Sequence, residues 1–196
     1  MMTSDEALRQ LLDGHKRYLS SQPLHQHQEA GWRATLAFSQ HPYALILGCG
    51  DSRVPPEIIF DQGLGDLFVI RTAGHVPDTA VFGSIEFGLE ELNIPLVMVM
   101  GHERCGAVQA AVAAMDTGKG SPGYLGDIIA AIMPAVAQVK DQPGDIIDNA
   151  VRANVRLVMR KLEAHVPVLA ASIQADRVKI VGARHDLDTG DIELLE

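Results

Sequence analysis

The chain lacks any excess of basic charge: 16 lysines and arginines face 25 acidic residues, a formal charge of -9. That balance argues against a nucleic-acid or anionic-membrane partner. No apolar run approaches the roughly 20 residues needed to span a bilayer. The opening residues, Met1-Met2-Thr3-Ser4-Asp5-Glu6, are acidic and polar, unlike a secretory signal, so a cytoplasmic location is expected. Several catalytic motifs are missing as well. There is no Cys-x-x-Cys redox pair, and Cys49 has Pro55 rather than arginine six positions on, which excludes a phosphatase-type Cys-x5-Arg loop. Gly48-x-Gly50-x-x-Arg53 and Gly63-x-Gly65-x-x-Phe68 each lack the third glycine of a dinucleotide-binding turn. No internal repeat or low-complexity tract is present.

What remains is a chain of 196 residues, 47% hydrophobic, able to bury one good core. We expect a single domain over 1–196, with a helical arm over 1–40 and an α/β core over 41–196. Thr3-x-x-Glu6 reads as a capping box, and Leu8, Leu11, Leu12 and Leu19 follow at helical spacing, predicting a helix over 4–19. A polar stretch from Ser20 to Gln28 breaks it, and a second helix is expected around Trp32. From Tyr43 onward strand and helix alternate. Strands are predicted at 43–48, 66–71, 95–101 and 177–183, and a short last one from Ile192 to Leu195. Helices are predicted at 78–92 (capped by Asp78), 104–115, 125–140 (kinked or broken at Pro134) and 145–165, with a further short one opened by Pro167. Gly118–Gly126 reads as loop. The alternation implies a mainly parallel sheet flanked by helices.

The chain has only two cysteines, Cys49 and Cys105, and His102 stands three positions before the second. Each cysteine lies just past an apolar run, Ala44–Gly48 in one case and Pro95–Gly101 in the other, where a buried strand would end. Ligands of an open α/β sheet bind at the carboxyl ends of its strands, so residues 53 positions apart can meet there. In a reducing compartment two thiols bind metal or react rather than pair. Taken singly, each residue is better read as a buried structural cysteine or a surface histidine. Together, two thiolates and an imidazole make a three-ligand zinc set with an open fourth position. His102 and Cys105 are expected on one side of a first helical turn, whose N-terminus favours the Cys105 thiolate.

Asp51-Ser52-Arg53 follows Cys49 almost at once. A carboxylate two residues from a ligand can accept a hydrogen bond from a metal-bound water or join the metal itself, and Arg53 can hold it ionised through a bidentate pair. His15, His25, His27, His41 and His165 are expected in solvent.

Cys49-Gly50-Asp51-Ser52-Arg53 and His102-Glu103-Arg104-Cys105-Gly106 together resemble the signature of the β-class carbonic anhydrases, with further likeness through Gly65–Arg71 and, more weakly, Asp186–Gly190. This resemblance implies a Zn2+ enzyme interconverting carbon dioxide and bicarbonate. Cys49, His102 and Cys105 match the family's zinc ligands, and Asp51 and Arg53 match its aspartate–arginine dyad, in which the aspartate either pairs with arginine or swings onto zinc. Gln40 matches a glutamine that reaches substrate across a dimer interface, and Gly106, closing the second motif, is expected at the substrate. Ile46 stands where the bicarbonate-inhibited subgroup has tryptophan, implying the unregulated type. His75 replaces an asparagine common in relatives, and Arg184-His185 stands where tyrosine is frequent. The resemblance also implies a homodimer or homotetramer built around an exchanged N-terminal arm. A carbon disulfide or carbonyl sulfide hydrolase on the same scaffold, and a non-catalytic zinc- or bicarbonate-binding protein, are the alternatives.

Overall fold

In the computed structural model, which describes residues 2–195, the predicted alternation becomes a five-stranded sheet of order β2-β1-β3-β4-β5. The strands are β1 (Ala44–Cys49), β2 (Leu67–Thr72), β3 (Leu96–His102), β4 (Lys179–His185) and β5 (Ile192–Leu195). The first four run parallel, and β5 closes the edge antiparallel to β4. Every residue of β1 and β3 is buried, as apolar strands covered by helices on both faces must be. Side chains alternate between the faces. Ile46, Met98 and Met100 face one core, Leu45, Leu47, Val97 and Val99 the other.

Among the described residues eight α-helices flank the sheet: α1 (Ser4–Leu19), α2 (Ala30–Thr35), α3 (Pro56–Ile59), α4 (Thr79–Glu90), α5 (Gly106–Thr117), α6 (Tyr124–Val139), α7 (Ile146–His165) and α8 (Pro167–Gln174). Their starts follow the residue types that satisfy orphan amides. Thr3 and Glu6 form the reciprocal capping box, the Asp78 carboxylate accepts from the Val81 amide, and Asp145 accepts from those of Ile147 and Asp148. Ile129, Ile132 and Val136 of α6 fill the first core. Val81, Ile85 and Leu89 of α4 and Val155, Val158 and Leu162 of α7 fill the second. α1 lies on α3 and on the β1 and β3 strands of its own chain, burying Ala7 and Leu11 completely.

The four parallel strands lie one or two residues later than predicted, while β5 falls where expected. Backbone pairing runs on past the glycines, as Cys49 opposite Thr72 and His102 opposite His185, so both ligand candidates are last residues of strands rather than loop residues. α5 starts at Gly106, two residues later than expected. Arg104 takes a left-handed turn at φ 51°, which delays the helix until after Cys105. α6 runs unbroken through Pro134. That residue is exposed, so water can satisfy the carbonyl its ring frees.

The chain leaves β1 for β2 on one side and returns for β3 on the other. The crossovers therefore diverge between the carboxyl ends of β1 and β3, the crevice where open α/β sheets hold ligands. Cys49 ends one of these strands and His102 the other.

Candidate metal centre

At that crevice Cys49, His102 and Cys105 converge, their ligand atoms all within 4.8 Å of one another and all three residues buried. Cys49 and His102 arrive on strand ends. Cys105 arrives as the N-cap residue of α5, turned back by the left-handed Arg104. Cys105 is thus not on a first helical turn with His102, as the spacing suggested. A turn, not a helix face, joins them.

Three observations test whether these residues fit a metal. The two sulfurs are 3.9 Å apart and both cysteines are free. Two thiolates on a tetrahedral zinc, each about 2.3 Å from it, would lie about 3.8 Å apart. His102 Nδ1 lies 2.9 Å from the Glu103 carbonyl oxygen, which accepts its proton and leaves the lone pair on Nε2. That Nε2 is buried without a hydrogen-bond partner. A backbone carbonyl fixing the tautomer of a ligating histidine is the usual support for an imidazole on a metal, and an unpaired buried nitrogen is costly otherwise. The residues fit.

Backbone amides already surround the sulfurs. The backbone amides of Asp51 and Gly74 favour the Cys49 thiolate, and those of Ala107 and Val108 at the start of α5 favour that of Cys105. Without metal, the Cys49 thiol is the one pushed down, first by the hydrogen bond from Cys105, while Cys105 is held up by that same bond and by burial. Amide donors around a thiolate favour its charged form. The sequence motif gave no sign of these donors, because any residue can supply a backbone N–H.

Asp51 stands beside the triad rather than within it. Arg53 grips it by a fork, Nε to Oδ1 at 2.9 Å and Nη2 to Oδ2 at 2.8 Å, and the Arg53 amide donates to Oδ1 at 3.0 Å. These bonds, with the guanidinium side chain foremost, hold the Asp51 carboxyl far below the usual carboxylate range. Its Oδ2 is 3.8 Å from His102 Nε2, so the carboxylate borders the metal position while paired with arginine. Arg71 fastens the same loop, donating to the carbonyls of Cys49 and Asp51 at 2.8 and 2.5 Å.

Gly106 is the exposed first residue of α5, and a Cβ there would meet nothing within 4 Å. Gln40 is exposed in the connection between α2 and β1. Of the histidines expected in solvent, His25, His41 and His165 are exposed. His15 is buried, its Nδ1 3.1 Å from the Ile59 carbonyl oxygen, because α1 packs directly on α3. His27 is half-buried on Asp66 and stacked on Trp32. His75 and His185 are buried, and burial pushes both imidazoles down to about 4.

Comparison with known proteins agrees with this geometry. The family profile described as Carbonic anhydrase matches residues 44–192. A carbonic anhydrase of Mycolicibacterium smegmatis is 41% identical over 188 residues, covering 96% of this chain and 91% of its own. Carbonic anhydrase 2 of Mycobacterium tuberculosis is 42% identical over 184 residues, covering 94% and 89%. Among solved structures, the β-carbonic anhydrase CcaA superposes with a TM-score of 0.76 at 24% identity, over 96% of this chain and 95% of that one. The β-carbonic anhydrase CafA of Aspergillus fumigatus gives 0.72 at 26% identity, over 96% and 90%. With the sheet, the crevice and the Cys-His-Cys triad, these matches establish that the chain belongs to the β-class carbonic anhydrases, a family of lyases.

Proposed function

We propose that the chain binds one Zn2+ through Cys49, His102 and Cys105 and catalyses the reversible hydration of carbon dioxide to bicarbonate and a proton. The observation that carries this reading is the orphaned His102 Nε2 aimed at two sulfurs 3.9 Å apart, with an arginine-held carboxylate at its edge. When bound, the zinc supplies the Lewis acidity that makes water a nucleophile near neutral pH.

The protein's own groups do the rest. Asp51 Oδ2 is the acceptor for the reacting water, orienting its lone pair toward carbon dioxide. Arg53 keeps Asp51 ionised and fixed, so that it accepts and never donates. Asp51 becomes a fourth ligand only by leaving Arg53, which gives up two charge-assisted hydrogen bonds, so the paired form is the working one. Gly106, with no side chain at the start of α5, leaves room for substrate beside the N-terminal amides of the helix. Gln40 is exposed in the single chain, and its part at the substrate is played in the site of a neighbouring copy. A homodimer or homotetramer follows, and a solved relative from Sordaria macrospora, 22% identical, is described as tetrameric. Among the described residues no helix is long and apolar enough to cross a membrane. Two free thiols suit the cytoplasm.

Stopped-flow hydration of carbon dioxide, on protein whose zinc content has been measured, tests the reading. Turnover well above the buffer rate is expected. A protein holding one zinc per chain that shows none contradicts it.

A further inference from the structure

Behind Cys49, the segment after β2 turns tightly through Ala73, Gly74 and His75. Two successive residues there are left-handed, Gly74 at φ 62° and His75 at φ 46°. Glycine takes this conformation freely, but for histidine it is uncommon and persists only where the surroundings impose it. A Cβ on Gly74 would lie 2.8 Å from Ile132 Cδ1 and 3.0 Å from the Ala107 side chain. The turn is therefore pressed against α5 and α6, beside the amide of Ala107 that serves Cys105.

What holds the turn is Asn154, buried on α7. Its Nδ2 is 3.1 Å from the Gly74 carbonyl oxygen and 3.0 Å from His75 Nε2. A carbonyl can only accept, so Asn154 presents its NH2 group to the pair. One N–H serves Gly74 and the other meets His75 Nε2, which must then carry the lone pair. The His75 proton accordingly sits on Nδ1. Gly74, gripped at its carbonyl, carries the backbone amide that favours the Cys49 thiolate. His75 is fully buried, with Nδ1 otherwise unpartnered among the described residues.

We propose that Asn154 and His75 are positioning residues for the metal pocket: Asn154 fixes His75 as its Nδ1–H tautomer and ties down Gly74, keeping the Gly74 amide on the Cys49 sulfur. Neither residue touches the reacting atoms. Both act through Cys49. The proposal rests on Cys49, His102 and Cys105 being the ligand set.

Asn154→Asp keeps the shape but replaces the donor with an acceptor. The carboxylate opposes the Gly74 carbonyl and draws the His75 proton to Nε2. Asn154→Leu removes both hydrogen bonds without adding charge. Three readouts apply: long-range proton–nitrogen NMR of the His75 ring, zinc affinity by competition with a chromophoric chelator, and the sulfur-to-cobalt absorption of the Co2+-loaded protein. The parent protein should show the Nδ1–H tautomer and Asn154→Asp the Nε2–H form. Both variants should bind zinc about 10- to 100-fold more weakly, as loss of a ligand's outer support does, with a shifted sulfur-to-cobalt band. An Nε2–H tautomer in the parent overturns the proposal. So does a folded variant with zinc affinity within about twofold of the parent and an unchanged band. Should the aspartate variant fail to fold, the leucine variant and the parent tautomer decide. A parent that binds no zinc sinks the ligand set itself, while the tautomer still tests the Asn154–His75 arrangement.

Discussion

In the proposed site, Asp51 and Arg53 are the pair that would make the metal position reactive rather than merely structural. Asp51 touches the edge of the metal position, whereas Arg53 reaches it only through Asp51. Asp51→Ala should therefore retain a full equivalent of zinc yet lose about 100-fold or more in turnover, the usual worth of a positioned proton acceptor. Paired zinc and stopped-flow measurements check this, and full activity removes Asp51 from the mechanism. Arg53→Lys keeps the charge but cannot reproduce the two-pronged grip. It should lower turnover by about 10-fold or more with zinc content unchanged, and parent-like turnover would show that the fork is dispensable. At this scale the sequence was highly legible. Cysteine, histidine, aspartate and arginine declare their chemistry by type and spacing. The amides of Gly74, Ala107 and Val108 do not, because nothing in a residue's identity tells where its N–H points. Asn154 lies 49 positions beyond Cys105, and only the packing of α7 reveals its part.

Among the elements, β3 and α7 matter most to the site, since β3 delivers His102 and α7 backs it. Their close approach depends on Gly101, where a Cβ would sit 2.7 Å from Val155 Cγ2 and 3.1 Å from Val151 Cγ1. Both neighbours are branched and buried, so neither can swing aside. Gly101→Ala should cost about 1–3 kcal/mol as an overpacked core does, read as a lower denaturation midpoint in urea. A midpoint equal to the parent's would mean that α7 shifts freely. The long elements were visible because their hydrophobic periods were unbroken. Their ends were not, since hydrogen-bond pairing carried β1 and β3 through Gly48 and Gly101 without regard to side chains. α3 was missed because four residues hold too little period to read. The Arg104 turn was missed because a left-handed arginine has no sequence signature.

Seen whole, the molecule buries several imidazoles, and those of His75 and His185 are pushed down to about 4. His75 and His185 titrate near 6.5 in an unfolded chain, while burial brings both down to about 4 in the folded one. Between these values the unfolded chain binds more protons than the folded one, so stability must fall as pH drops from about 6.5 to about 4. Urea denaturation of the metal-free protein across this range should show a loss of the order of a few kcal/mol. A flat profile contradicts the burial of neutral imidazoles.

A metal held by two sulfurs and one nitrogen underlies the proposed chemistry, and X-ray absorption at the zinc edge, on protein of measured metal content, reads that ligand set without intermediaries. One zinc per chain should be found, with two sulfur neighbours and the remainder nitrogen or oxygen. Protein without zinc, or zinc with any other number of sulfurs, would contradict it.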